Sequence, residues 1–192
     1  IILMKHYRLQ QDKLSELANQ LQEVAHLDPL THIYNRRYLV EYLNKKMKIE
    51  SQKFAVVLLD IDDFKSINDQ YGHIYGDQTL QTFSDSMKKN MDNKGIVTRF
   101  GGEEFMLVFD DINHEVIEDT LNKVAEEFAL YGKQSKGIEL SFSGGVEVFI
   151  KKMKLLNCLI ERITNFIMRN IQERKRLFLI SMFNINTCVS LY

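Results

Sequence analysis

The 192-residue chain has no surplus of positive charge. Its 25 Lys and Arg against 26 Asp and Glu leave a formal net charge of −1, so no global basic field points to nucleic acid or to an anionic membrane surface. Cysteine is scarce. Cys158 and Cys188 are the only two, too few and too far from any histidine cluster for a zinc site, and a reducing compartment with both as buried or free thiols is expected. No stretch approaches the roughly 18 to 20 uninterrupted apolar residues of a membrane span, and no signal peptide is visible, so the chain is expected to lie in the cytoplasm. It opens on Ile1 rather than methionine, which leads us to expect an upstream sensor or membrane-embedded part. Repeats, low-complexity segments and any Ser/His/Asp or Cys/His arrangement for nucleophilic catalysis are absent. Glycine is missing from the end: all nine lie before Val146, and from there to Tyr192 there is no Ala, Asp, Pro or His either.

Two stretches carry the chemistry. In Arg99-Phe100-Gly101-Gly102-Glu103-Glu104-Phe105-Met106-Leu107-Val108-Phe109, apolar residues run up to and away from a Gly-Gly pair, which suits a two-residue hairpin using positive φ angles. Two acids sit at its tip. They read either as a solvated hairpin end or as oxygen ligands, since neighbouring carboxylates resist ionising unless water or a cation is close. The second stretch, Phe54-Ala55-Val56-Val57-Leu58-Leu59 followed by Asp60-Ile61-Asp62-Asp63-Phe64-Lys65, reads as a strand covered on both faces and loaded with charge at its end. Acids from two neighbouring strands could meet at one divalent cation, with the Lys65 ammonium near enough to serve a nucleoside triphosphate.

The rest supplies a scaffold. Leu3, Tyr7, Leu14, Leu17, Leu21 and Val24 follow three-four spacing, which fits either a coiled-coil helix or an amphipathic helix packed on its own domain. Pro29 ends that helix. Asn35 is placed to cap a helix bearing Leu39, Leu43 and Met47. Asp77 is placed to cap another bearing Leu80, Phe83, Met87 and Met91, and a third carries Val116, Leu121, Val124 and Phe128. A last strand spans about Glu139 to Phe149, with Gly144-Gly145 signalling a bulge or a close backbone approach. Alternating helices and strands around a tight hairpin predict an α/β (α+β) domain with a central mixed, mainly antiparallel sheet flanked by helices.

Asp60-x-Asp62-x-Phe64-Lys65-x-x-Asn68-Asp69-x-x-Gly72-His73-x-x-Gly76-Asp77, then Arg99-Phe100-Gly101-Gly102-Glu103-Glu104-Phe105, resembles the GGDEF family of diguanylate cyclases in its GGEEF variant. Asp28-Pro29-Leu30-Thr31, with Asn35-Arg36-Arg37, resembles the opening signature of that domain. The resemblance runs from about Asp28 to Val146 and implies a palm-like fold close to that of class III nucleotidyl cyclases. It divides the chain into a signalling helix, 1–27, and a catalytic domain, 28–192, divergent over 146–192. It implies condensation of two GTP into cyclic di-GMP with loss of pyrophosphate. On this reading Asp60, Glu103, Glu104 and the Ile61 carbonyl hold Mg²⁺ or Mn²⁺. Lys65 and the backbone of Asp63 and Phe64 meet the phosphates, Asn68 and Asp77 read guanine, and Glu103 helps to deprotonate the attacking hydroxyl. One domain binds one GTP, so a homodimer is implied, held by the amino-terminal heptads. ATP is disfavoured by Asn68 with Asp77. His73 is expected to be structural, and Arg99 either neutralises the acids or caps its strand.

Two departures from the family stand out. Its Arg-x-x-Asp inhibitory site falls on Asp92 and Gly95, neither of which supplies the needed side chain, so product inhibition through that site is expected to be absent. Its closing helix, whose Lys and Arg grip phosphates, falls on Ile163 to Ile171 and Arg174-Lys175-Arg176, leaving Ile171 at the Lys position and only Lys175 to stand in for the Arg. A shifted reading frame would account for such a tail. The alternative function is therefore a GTP-binding or protein-interaction module without turnover.

Overall fold

A computed structural model of the chain describes residues 25–49 and 53–149, the strand Leu179–Ile180, and single helical positions at Met4, Tyr7, Gln10, Gln11 and Lys13. The heptad positions other than Tyr7, and the divergent segment 150–178 with Ile171 and Lys175, lie outside the described residues. The elements run β1 (Tyr34–Asn35), α1 (Arg36–Lys48), β2 (Phe54–Ile61), α2 (Phe64–Tyr71), α3 (His73–Asn90), β3 (Gly95–Gly101), β4 (Glu104–Phe109), α4 (His114–Lys136), β5 (Phe142–Phe149) and β6 (Leu179–Ile180). The strands form one sheet in the order β1-β3-β4-β2-β5-β6. Its inner pairings are antiparallel, and the two outer ones, β1 with β3 and β5 with β6, are parallel. The sheet is thus mixed and mainly antiparallel, as its sequence predicts. Among the described residues no helix is long and apolar enough to cross a membrane.

β2 lies in the middle because both of its faces are apolar. Successive strand side chains point to opposite faces, so Ala55, Val57, Leu59 and Ile61 join one core with Phe83, Phe105 and Phe128. Phe54, Val56 and Leu58 join a second core with Leu39 and Leu43. That division explains why the run shows no polar alternation. The first core is covered by α2, α3 and α4 and the second by α1, so the helices flank the sheet on both sides.

The caps explain where the helices start. The Asn35 side chain accepts the Tyr38 N–H and opens α1, whose Leu39 and Leu43 are fully buried. Asn113 accepts the N–H groups of Glu115 and Val116 and opens α4. Asp77 is not a cap. α3 begins at His73, because Gly72 at φ 83° both closes α2 and opens α3 in a backbone conformation that favours glycine. On α4 the core face is carried by Ile117, Leu121, Val124 and Phe128, while Val116 is exposed. β5 stays in continuous register with β2 through Gly144, so no bulge forms there. The close approach does hold: a Cβ on Gly144 would stand 2.5 Å from the Leu58 carbonyl oxygen.

Phe83 is fully buried against Phe105, Phe128 and Phe142. Phe83→Ala should cost about 3–5 kcal/mol in urea denaturation. Ile74→Ala, at a position 79% exposed, should stay within about 0.5 kcal/mol of the parent.

Candidate active site

Strand register brings the acids together. Asp60, at the end of β2, lies opposite Glu104 on β4 and opposite Ser143 on β5. The Ile61 N–H donates to the Glu103 carbonyl at 3.3 Å, which draws the hairpin tip against the strand end. The turn itself consists of Gly102 and Glu103, with Gly101 paired to Glu104 and the register shifted between Arg99 and Gly101. Neither Gly101 nor Gly102 takes a positive φ, contrary to the reason glycine is expected there. Space explains Gly101 instead, since a Cβ would stand 2.9 Å from Glu104 Oε2.

Arg99 neither caps its strand nor pairs with the tip acids. Its Nε and Nη2 donate to the Gly102 carbonyl at 3.0 and 2.8 Å, and its Nη1 donates to Asp28 Oδ1 at 3.0 Å. The same Asp28 oxygen accepts from the Leu30 N–H at 3.2 Å, the Thr31 N–H at 2.9 Å and the Thr31 hydroxyl at 2.7 Å. The Asp-Pro-Leu-Thr signature is thus a turn wound around one carboxylate that also steadies the β3–β4 hairpin. Burial raises the Asp28 carboxyl, but hydrogen bonds from Thr31 and Arg99 outweigh it and hold it below its ordinary value.

The cluster is electrostatically strained. Burial, then the charges of Glu103, Glu104 and Asp62, push the Asp60 carboxyl up to about 7. Burial and Glu103 also raise Glu104, opposed by Arg36, whose guanidinium lies 4.5 Å from the centre of the Phe100 ring. Glu104 Oε1 is buried without a hydrogen-bond partner among the described residues. An orphaned carboxylate oxygen beside other acids is costly in a dry site, and hard oxygen donors of this kind suit Mg²⁺ or Mn²⁺. Among the described residues no group of three or more His, Cys, Asp or Glu is placed to hold a metal ion. Mg²⁺ usually takes only one or two carboxylates and completes its shell with water and phosphate oxygens, so the residues present fit that ion in company with a nucleotide.

The remaining predicted residues follow directly along the chain. Asp63 sits at φ 53° and ψ 27°, and its side chain makes no cap bond to α2. Phe64 packs into the larger core and anchors the start of α2. Lys65 is exposed and makes no ion pair among the described residues. The Asn68 amide donates to the Phe64 carbonyl at 3.3 Å, and a Cβ on Gly76 would collide with Asn68 Oδ1. α2 and α3 therefore touch at this pair, with exposed Asp77 next in sequence to Gly76. Contacts that the sequence does not reveal are those of Arg36 with Glu104, of Asp28 with Arg99, and of Ser141 and Ser143 with Asp62. Their partners are distant in the chain, beyond the reach of periodicity.

A carboxyl raised on folding is destabilising wherever the unfolded chain would ionise it. For Asp60 the penalty is absent below the ordinary value of 3.8, grows between pH 4 and 7, and is complete above about 7. Metal-free Asp60→Asn should therefore melt above the parent at pH 8 and level with it near pH 4. Solvent access screens the repulsion, so a gap of about 2–4 °C is expected, and Mg²⁺ should narrow it in differential scanning measurements.

Residues 25–176 match the family described as diguanylate cyclase, GGDEF domain, a span that runs on past Val146. A probable diguanylate cyclase, DgcF of Escherichia coli, is 42% identical over 100 residues, covering 52% of this chain and 32% of that protein. The diguanylate cyclase DgcP of Pseudomonas aeruginosa is 33% identical over 140 residues, 70% of this chain and 21% of that protein. The chain thus spans a third or less of the length of these relatives. The crystal structure of the coiled coil and GGDEF domain of DgcB from Caulobacter crescentus, in complex with c-di-GMP, superposes with a TM-score of 0.75 at 22% identity, over 90% of this chain and 94% of that one. With its acids, its hairpin and strands β1 to β5 all in the matched span, the chain belongs to the GGDEF-domain family of diguanylate cyclases.

Proposed function

We propose that this chain is a diguanylate cyclase that joins two GTP molecules into cyclic di-GMP and releases pyrophosphate. The observation that carries the reading is the meeting of Asp60, Glu103 and Glu104 at one sheet end, with the buried Glu104 oxygen lacking a partner among the described residues. Asp60, Glu103, Glu104 and the Ile61 carbonyl are the residues that would hold Mg²⁺ or Mn²⁺. The bound ion supplies charge to the phosphate oxygens as a ribose 3′-hydroxyl attacks the α-phosphorus. Lys65 meets the phosphates as a point charge, beside backbone N–H groups at Asp63 and Phe64. Asn68 donates to a ring acceptor of guanine, and Asp77 accepts from its N–H groups. Glu103 helps to take the proton from the attacking hydroxyl.

The product needs two nucleotides, so two domains face each other, and residues 1–27 serve to join them and to receive the signal. Residues 28–192 form the catalytic domain. Gly95 and Asp92 leave it without feedback through the Arg-x-x-Asp position. An aspartate at residue 95 meets a second obstacle, because its Cβ would collide with the Val108 carbonyl. The tail sets the rate. Two missing charge-assisted phosphate contacts, each worth about 1.5–3 kcal/mol, slow turnover by several orders of magnitude.

That same tail favours a second reading, a GTP-binding or protein-interaction module that keeps the fold without the reaction. Incubation with GTP and Mg²⁺ separates the two. Slow release of pyrophosphate with formation of cyclic di-GMP is expected, abolished by EDTA and by Glu103→Ala. GTP binding with no product from the parent chain would establish the second reading. Asn68→Ala should reduce the preference for GTP over ATP by about 10-fold or more in kcat/KM.

A further inference from the structure

Asp62 lies between the proposed metal ligand Asp60 and the proposed phosphate-binding turn at Asp63. Its two oxygens are engaged separately: the Ser143 hydroxyl donates to Oδ1 and the Ser141 hydroxyl donates to Oδ2, both at 2.6 Å. Its N–H donates to the Ser141 carbonyl at 3.0 Å, carrying the β2–β5 pairing one step beyond Ile61 and Phe142. Two short charge-assisted bonds to different oxygens fix the plane of a carboxylate as well as its position.

The serines are themselves held. They flank Phe142 at the start of β5 and so face away from its side chain, while the Phe142 ring packs tilted against the fully buried Phe83 with ring centroids 5.0 Å apart. The clamp thus fastens the end of β2 to the core just where the chain must turn. The next residue, Asp63, takes a left-handed conformation at φ 53° that non-glycine residues adopt only when their surroundings enforce it. That turn sets the direction in which Phe64 and Lys65 leave the strand. Ser143 is also the cross-strand partner of Asp60, so one strand registers both sides of the turn.

We infer that Asp62, clamped by Ser141 and Ser143, is a positioning residue that holds the Asp63–Lys65 turn in register with Asp60 for a bound Mg²⁺–nucleoside triphosphate. The inference rests on the cyclase reading of the site. Its charge is used on β5 and its work is geometric. A displacement of about 1 Å in such a turn can cost about 100-fold in rate.

The test is calorimetric titration with Mg²⁺ and α,β-methylene GTP, an analogue that cannot react, alongside GTP turnover, on Asp62→Ala, Asp62→Asn, Ser141→Ala and Ser143→Ala. Asp62→Ala should weaken analogue binding by about 10-fold or more and lower kcat by about 100-fold, with each serine variant intermediate. Asp62→Asn loses the charge yet can still accept from one serine and donate to the other, so it should stay within about threefold of the parent. If Asp62→Ala fails to fold, the two serine variants carry the comparison. Parent-like binding and turnover in the Ala variants, or equal damage from Asn and Ala, overturns the clamp alone. A parent chain that neither binds the analogue nor turns over GTP overturns the cyclase reading and the clamp with it.

Discussion

Burial of several carboxylates beside one another, where they cannot move apart, is the constraint around which this structure is arranged. Asp60 is fixed by the pairing of β2 with both neighbours, and Glu104 faces it across the ladder. Neither can retreat without dragging a strand whose other residues fill two cores. Burial, and after it the charges of the neighbouring acids, pushes the Asp60 carboxyl up to about 7, and a Glu104 oxygen is left without a partner among the described residues. Folding energy from the apolar interior thus holds these acids together.

The surrounding residues keep that tension localised. Arg99 binds the hairpin tip to the Asp28 turn, and Arg36 tempers Glu104 from the start of α1. Gly101 leaves room for the Glu104 carboxylate. These contacts join the first described turn, the hairpin and β2, which is why the sequence signatures lie far apart yet meet in space. The two proposed guanine readers depend on a separate device, the contact of α2 with α3 at Asn68 and Gly76.

Much of this was legible in the sequence because it depends on local pattern. The β2 run, the Asn35 cap and the buried faces of α1 and α3 follow from apolar spacing and capping chemistry, and the acids announce themselves by placement. What sequence reasoning misses comes from contacts made at a distance. Gly72 starts α3 five residues early and removes Asp77 from its expected cap. Gly101 takes no positive φ, and a Cβ there would meet the Glu104 carboxylate three residues on. The partners of Arg99 and Asp62 lie about 70 to 80 residues away, where no periodicity can reveal them. The divergent segment 150–178 lies outside the described residues.

Location of the cation tests the account most directly. Crystals grown with Mn²⁺ and α,β-methylene GTP should give an anomalous scattering peak between the Asp60 and Glu103 carboxylates, within about 2.0–2.6 Å of their oxygens, as expected for hard oxygen ligands. A nucleotide bound with no peak there, or a peak held by other residues, would contradict it.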